Sequence, residues 1–408
     1  MHEPPWFAEY RTRGLKTDQT KQNGEPMPTG RELIEMALSQ QGAPSFAAVT
    51  CYQDILLRDH WEEATDAPWW AWHSPDPETA AKPWIDLLNR TGEDWYMTPL
   101  GASAAEQRNI RVEETASGVF RMNQATGERQ RIEREPIGGF QPGPEVPEGK
   151  PAHGIRDPDA LLARMEEVFG QPNPGALEPA QLELPNLLHA HFARERMPIG
   201  HISAPWWRCS FLWGFQERMT LVVERPDLID AACARFMEHC IADVARLKAM
   251  GVGLVWLEDC NSDLISPEAF RQFGLERLRP VVEAIREAGM LSVLYFCGKP
   301  DDRWDMLLDT GADALALEES KKHFAIDIAD VADLLNGRMA LFGNLDAIHL
   351  MEKGSDAEVK AEIARQCQAG LRNRRRFVMC LGSPLTPRTP LERVRDYCNW
   401  THSWQAGT

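Results

Sequence analysis

The sequence predicts an α/β fold in which parallel βα units close into one elaborated barrel. Three observations carry this expectation. The chain of 408 residues, 43% of them hydrophobic, is long enough for a large core. Short apolar runs alternate with segments of helical period throughout the carboxy-terminal half. The punctuation between them is that of helices packed onto strands, with caps before and glycines after.

Taken in order, strands are expected at 45–52 and 199–203 and then at 253–257, 291–296, 312–317, 339–342 and 376–380. Helices are expected at 226–250, which ends at Gly251, and at 267–287, 304–310, 328–335, 356–369 and 390–400. Ser266 before Pro267 reads as an N-cap followed by proline at the first helical position, and Gly289 and Gly311 sit where a C′ glycine belongs. Pro280 is expected to split the helix it interrupts. Alternation of this kind implies parallel pairing through helical crossovers. The span 99–188 differs. Residues 111–136 alternate polar and apolar around Ala125-Thr126-Gly127, which predicts a β-hairpin, and 138–151 is dense in Gly and Pro. This span reads as an insertion into a barrel running from 44 to 404, preceded by an N-terminal extension over 1–43.

With 44 Lys and Arg against 61 Asp and Glu, the net charge of −17 argues against a nucleic-acid partner. Nine cysteines are too sparse for a disulfide scaffold. The polar start of the chain has no signal-peptide pattern, and no apolar run is long enough to span a membrane. The expectation is a cytoplasmic protein, with a homodimer as a candidate assembly, acting on a small molecule.

In a parallel barrel the chemistry belongs at the carboxyl ends of the strands. Five predicted strands point polar groups toward one mouth: Glu258 and Asp259 with Cys260 to Asp263, then Cys297, then Glu318 and Glu319 with Ser320, Lys321 and Lys322, then Asn344 and Asp346, and finally Ser383. Each has a bland alternative, since acids after strands also cap helices, as Asp263 and Asp346 would. Convergence favours function: clustered carboxylates raise one another's pKa and supply an acid, or hold a cation. Cys297, beside a strand end, is a candidate zinc ligand or nucleophile, whereas Cys233, Cys240, Cys367 and Cys398 fall in predicted helices. Of 14 tryptophans, several gather in loops near the mouth, and Trp72 with His73 and Trp206 with Trp207 are candidate ligand-binding residues. Tyr295 belongs to the same predicted rim. His189 and His191 would share a face only in an extended segment.

Leu264-Ile265-Ser266-Pro267-Glu268-Ala269-Phe270, Tyr295-Phe296-Cys297-Gly298, Gly343-Asn344-Leu345-Asp346 and the run from Gly382-Ser383-Pro384 to Leu391-Glu392 follow one another in an order that resembles the uroporphyrinogen decarboxylase superfamily, from about residue 44 to 400. That resemblance implies a single distorted (β/α)8 TIM barrel. It is closer to the corrinoid-linked methyltransferase branch than to true uroporphyrinogen decarboxylases, whose arginine-bearing Met-Arg-Gln-Ala-Gly-Arg-Tyr motif is replaced here by Ala-Val-Thr-Cys-Tyr-Gln-Asp at 48–54. Zinc-dependent members of that branch bind the metal through His-x-Cys and a later Cys. Here Tyr295 and Ser383 take two of those places and Cys297 alone is retained, with Glu258 or Cys380 as further donors to a zinc site.

The resemblance implies a methyltransferase or demethylase moving a methyl group between a small methylated substrate, a corrinoid and tetrahydrofolate. The corrinoid would sit on a separate protein, since no cobalamin-binding Asp-x-His-x-x-Gly segment occurs. Glu258 or Asp259 would be the catalytic acid; Trp72, His73, Trp206, Trp207, Tyr295, Glu318, Glu319, Asn344, Asp346 and Ser383 would hold substrate or pterin. The alternatives are a decarboxylase of a small carboxylated substrate and a ligand-binding barrel without catalysis.

Overall fold

The structure, a computed structural model, describes residues 27–139, 149–173, 175–319 and 324–405. The first 26 residues of the expected N-terminal extension, part of the Gly/Pro-rich stretch, and the expected mouth residues Ser320, Lys321 and Lys322 lie outside them.

Among the described residues ten strands form two sheets. The large sheet takes β1 (Trp95–Met97), then, beyond the small sheet of β2 (Ile110–Thr115), β3 (Gly118–Asn123) and β4 (Arg129–Ile132), continues with β5 (Met197–Ser203), β6 (Leu254–Cys260), β7 (Leu291–Cys297), β8 (Ala314–Leu317), β9 (Ala340–Phe342) and β10 (Phe377–Val378). All of its pairings are parallel. The segment expected as a strand at 45–52 supplies the eighth position through an isolated bridge and single backbone bonds. Val49 N–H donates to Met379 O at 2.9 Å and Met379 N–H to Ala47 O at 2.9 Å, while Asp94 N–H on the other side donates to Ala48 O at 3.0 Å. The sheet is thereby closed into the expected barrel.

Aromatic rings from strands that are not neighbours meet inside it. Trp95 of β1 stacks on Phe342 of β9 with centroids 5.8 Å apart and meets Trp256 of β6 edge-on at 5.6 Å, while Trp256 also stacks on Tyr295 of the adjacent β7 at 5.0 Å. Contacts between such strands run across the barrel axis, so these side chains fill its interior, each pair adding about 0.5–1.5 kcal/mol beyond area burial. Strand alternation then sets what lies above them: positions two residues on from Trp256 and Val293 are Glu258 and Tyr295, on the same inner face and nearer the carboxyl end.

Several local expectations meet their residues. Ser266 Oγ accepts from Ala269 N–H at 3.1 Å, and Gly289 and Gly311 adopt φ of 73° and 76°. Pro280 does not split its helix. Glu276–Glu287 runs through it, and the irregularity falls upstream in the π-helical Phe270–Leu275. A π-helical turn a few residues before the proline takes up the irregularity that Pro280 would otherwise force into its own helix. The expected hairpin is the β3–β4 half of a three-stranded antiparallel sheet, with Gly127 at φ 75° in its turn. The short strand β1 was not expected. Among the described residues no helix is long and apolar enough to cross a membrane.

The amino-terminal side of the barrel is tied by Asp94. Its Oδ2 accepts from Ala48 N–H at 2.7 Å and from His402 Nε2 at 2.7 Å, and a Cβ on Gly30 would strike Asp94, so helix Gly30–Leu38 approaches only through glycine. Burial disfavours the charged form of His402, but the Asp94 charge and hydrogen bond outweigh it and raise its pKa above the ordinary 6.5. The pair therefore contributes stability fully below about pH 6.5, and that contribution is lost as pH rises through the higher folded-state value. Denaturant unfolding at acid and alkaline pH is expected to show a smaller loss of stability on alkalinisation in His402→Gln than in the wild type; an identical pH slope would remove the assigned role of the pair.

Candidate functional site

At the mouth of the barrel a carboxylate is held by donors from two other segments. Glu258, 6% exposed, accepts from Tyr52 Oη at 2.6 Å on Oε1, and His201 Nε2 lies 3.2 Å from Oε2. Cys260 Sγ donates to Oε1 at 3.5 Å. Burial pushes the Glu258 pKa up, but the His201 bond and charge, then Tyr52 and Cys260, more than offset it, so the carboxyl stays below its usual range. Burial and the Glu258 charge push the Tyr52 phenol well up, which keeps it a proton donor.

The local backbone explains this convergence. Tyr52 ends the closing segment at φ 57°, left-handed for a residue with a side chain, and leads into helix Gln53–Asp59. Such a conformation costs about 1–3 kcal/mol and persists where the surroundings enforce it. Here Tyr52 is edge-on to His201, Trp256 and Tyr295, with centroids at 5.9, 6.5 and 6.2 Å. His201 is the one exposed residue of β5. Its register partner is Trp256, so its inner-face position opens the mouth to solvent beside Glu258.

Glu258 and Asp259, expected to act together, point to opposite faces of β6. The strand continues through Cys260, three residues beyond its expected end, and alternation sends consecutive side chains apart. Asp259 is fully buried behind the strand, where Ser262 Oγ donates to Oδ2 at 2.7 Å; its Oδ1 has no hydrogen-bond partner among the described residues. Burial pushes its pKa up to about 7 against the Ser262 bond and the charges of Arg303 and Arg218.

The remaining expected residues divide by location. Tyr295 lies at the mouth, its phenol donating to Gly382 O at 2.8 Å, and burial followed by the charges of Cys297, Tyr52 and Glu318 raises its pKa. Glu318 and Glu319 are buried; Ser383 Oγ donates to Glu319 Oε1 at 2.5 Å, and a Cβ on Gly382 would lie 2.4 Å from the Glu319 amide nitrogen. Asn344 spends its Nδ2 on Glu318 O at 3.1 Å and Ile326 O at 3.0 Å, so it braces the loop. Asp346 caps the following helical turn, accepting from Ile348 and His349 N–H at 2.7 and 2.6 Å. Trp206 is fully buried with the Arg218 guanidinium 4.8 Å from its ring, and half-buried Trp207 flanks the same guanidinium at 5.5 Å, so this pair packs a cation of the protein itself. Trp72 and His73 line a cavity that shares no residue with the Glu258 cluster. His189 bridges Tyr96 Oη and Met250 O at 2.7 Å each, within a helix, and forms no pair with His191.

The donors do not fit the zinc set that the resemblance implies. Tyr295 and Ser383 are committed to Gly382 and Glu319. Cys297 is opposite Cys260 in register and the two thiols hydrogen-bond, whereas Cys380 is buried elsewhere, donating to Leu381 O beside Glu93 and Tyr397. Among the described residues no three His, Cys, Asp or Glu side chains converge to hold a metal ion.

Sequence reasoning placed Cys260 at the mouth but did not single out Tyr52 or His201 as site residues. Tyr52 ends an expected strand and His201 lies in another, so both were open to the strand-end rule already applied to Glu258.

Because folding raises the Asp259 pKa from its ordinary 3.8 to about 7, the folded chain keeps a proton that the unfolded chain has released between those values. Stability contributed by this group therefore falls as pH rises through that window. Asp259→Asn is expected to flatten the fall and to be more stable than the wild type above pH 8; an unchanged profile in denaturant titrations would show Asp259 ionised throughout.

The sequence profile of the uroporphyrinogen decarboxylase (URO-D) family matches residues 161–404, more than half of the chain. A methylcobamide:CoM methyltransferase of Methanosarcina barkeri is 27% identical over 248 residues, covering 57% of this chain and 70% of that protein. A uroporphyrinogen decarboxylase of Coxiella burnetii is 29% identical over 211 residues, covering 49% and 56%. In fold, a methyltransferase from Methanosarcina mazei is similar with a TM-score of 0.60 at 19% identity, over 92% of this chain and 98% of that one. With the closed parallel barrel and a carboxylate at its mouth, the chain belongs to the uroporphyrinogen decarboxylase family.

Proposed function

We propose that this chain is a methyltransferase or demethylase that moves a methyl group between a small methylated substrate and a corrinoid carried by a separate protein, or tetrahydrofolate. The observation that carries the reading is Glu258, buried yet ionised, held by Tyr52 and His201 beside a solvent-open mouth. In methyl transfer the nucleophile's electron pair forms the new bond to carbon as the leaving heteroatom takes the old pair. A positioned acid/base group moves the proton that makes one a better nucleophile or the other a better leaving group. Glu258 holds the charge and Tyr52 anchors it, while His201, the exposed member, meets the substrate.

The mouth also suits this reading better than porphyrin decarboxylation. Where an arginine would clamp a polycarboxylate, Tyr52 donates a hydrogen bond to Glu258, and a substrate with several carboxylates would meet the Glu258 charge. The resemblance in sequence to a methylcobamide:CoM methyltransferase supports the same choice. None of the nine cysteines is in a disulfide, which agrees with a cytoplasmic setting.

The test is spectroscopic. Free cob(I)alamin and methylcobalamin replace the corrinoid protein, and candidate methyl thiols, ethers, amines and methyltetrahydrofolate are offered in turn. Protein-dependent interconversion of the two cobalamin spectra is expected with at least one of them. Glu258→Gln should slow it roughly 100- to 10,000-fold, the range for a lost general acid or base. No interconversion with any donor, together with carbon dioxide release from a carboxylated substrate, would replace the reading with decarboxylation.

A further inference from the structure

Beside helix Gln53–Asp59 lies a cavity of about 310 Å³ that the proposed chemistry does not use. Its walls are Asp54, Ile55 and Arg58 from the helix, Trp72 and His73 from the tryptophan-rich loop, Trp84 from helix Pro77–Thr91, and Glu135 beyond β4. Most of its walls are at least partly exposed, so it is a cleft open to solvent, and a volume near 300 Å³ is the lower end for a small-molecule site. Two contacts fix the positions of wall residues. Trp61 meets Trp72 edge-on at 5.4 Å, and the Arg58 guanidinium reaches across to the carbonyl of Gly139.

We propose that this cavity binds a small quaternary or methylated ammonium ion. Trp72, Trp84 and His73 provide aromatic surface, and the rings of Trp72 and His73 stand 5.5 Å apart at 71°. Aromatic walls attract a cation whose charge is spread over methyl groups, because the π faces are negative and the methyl shell is easily dehydrated. Two exposed carboxylates, Asp54 and Glu135, add to that preference.

The lining's own cation does not cancel it. Arg58 Nε donates to Asp59 at 2.8 Å, its Nη1 lies 3.8 Å from Glu135, and its Nη2 donates to Gly139 O, so its charge is met by protein groups. Burial of part of the His73 ring lowers its pKa more than the Glu135 charge raises it, so it adds no positive charge at neutral pH. An anion would therefore face two carboxylates, and a bare metal ion would find aromatic faces in place of ligands.

The inference goes beyond the methyl-transfer reading and is measured as binding without turnover, so either can fail alone. The full chain is titrated calorimetrically with choline and with 3,3-dimethyl-1-butanol, its neutral carbon analogue. Saturable binding of choline is expected, with the analogue about tenfold weaker or worse, and Trp72→Leu should weaken choline by about tenfold, the worth of one desolvated cation–π contact. Asp54→Asn changes an exposed residue, leaves packing intact and should weaken choline severalfold. Absence of saturable choline binding, equal binding of the analogue, or unchanged affinity in Asp54→Asn would each overturn the assignment.

Discussion

The mouth of this barrel depends on the closure of its sheet through Ala47–Val49. That segment makes only bridge contacts, yet it joins Met379 on one side to Asp94 on the other and leaves Tyr52 at the carboxyl end with no freedom to swing away. Were the seam open, Tyr52 could not reach Glu258 on β6, and the carboxylate would lose a donor that offsets its burial. The same seam is braced below by Asp94 and His402. A short run of backbone hydrogen bonds thus couples the amino-terminal helix, the last helix and the candidate site.

Electrostatics at the mouth follow from that geometry. A buried carboxylate survives as an anion only when hydrogen bonds and a nearby proton carrier compensate its lost hydration. Glu258 has both, whereas Asp259, one residue on, has among the described residues a single side-chain donor and one oxygen without a partner, and burial prevails. Two neighbouring acids therefore end with pKa values displaced in opposite directions. The acidic balance of −17 is in part surface charge, but at the mouth it is a specific group with specific donors.

Much of the architecture was legible from the sequence because βα alternation is a local signal. Apolar runs of period two and helices of period 3.6 mark their own positions, and Ser266, Gly289 and Gly311 punctuate them by conformational needs that each residue carries. What escaped was set by neighbours. The three residues of β1 are too few to show alternation, and Pro280 was read as a break because the π-helical turn that absorbs the irregularity has no signature in the chain. Trp206 and Trp207 looked like ligand surface, since nothing in their own segment announces the Arg218 guanidinium between them.

By itself the sequence determined the fold class, the strand ends that carry polar groups, and the place of Glu258 among them, because each of these follows from residue type and short-range period. Only the tertiary structure decided which of those groups meet. Whether β6 stops at residue 257 or continues to 260 depends on pairing with β5 and β7, and that extension separates Glu258 from Asp259 and aligns Cys260 with Cys297. The partners of Glu258 lie 206 and 57 residues away along the chain, a separation that barrel closure alone brings within hydrogen-bond reach.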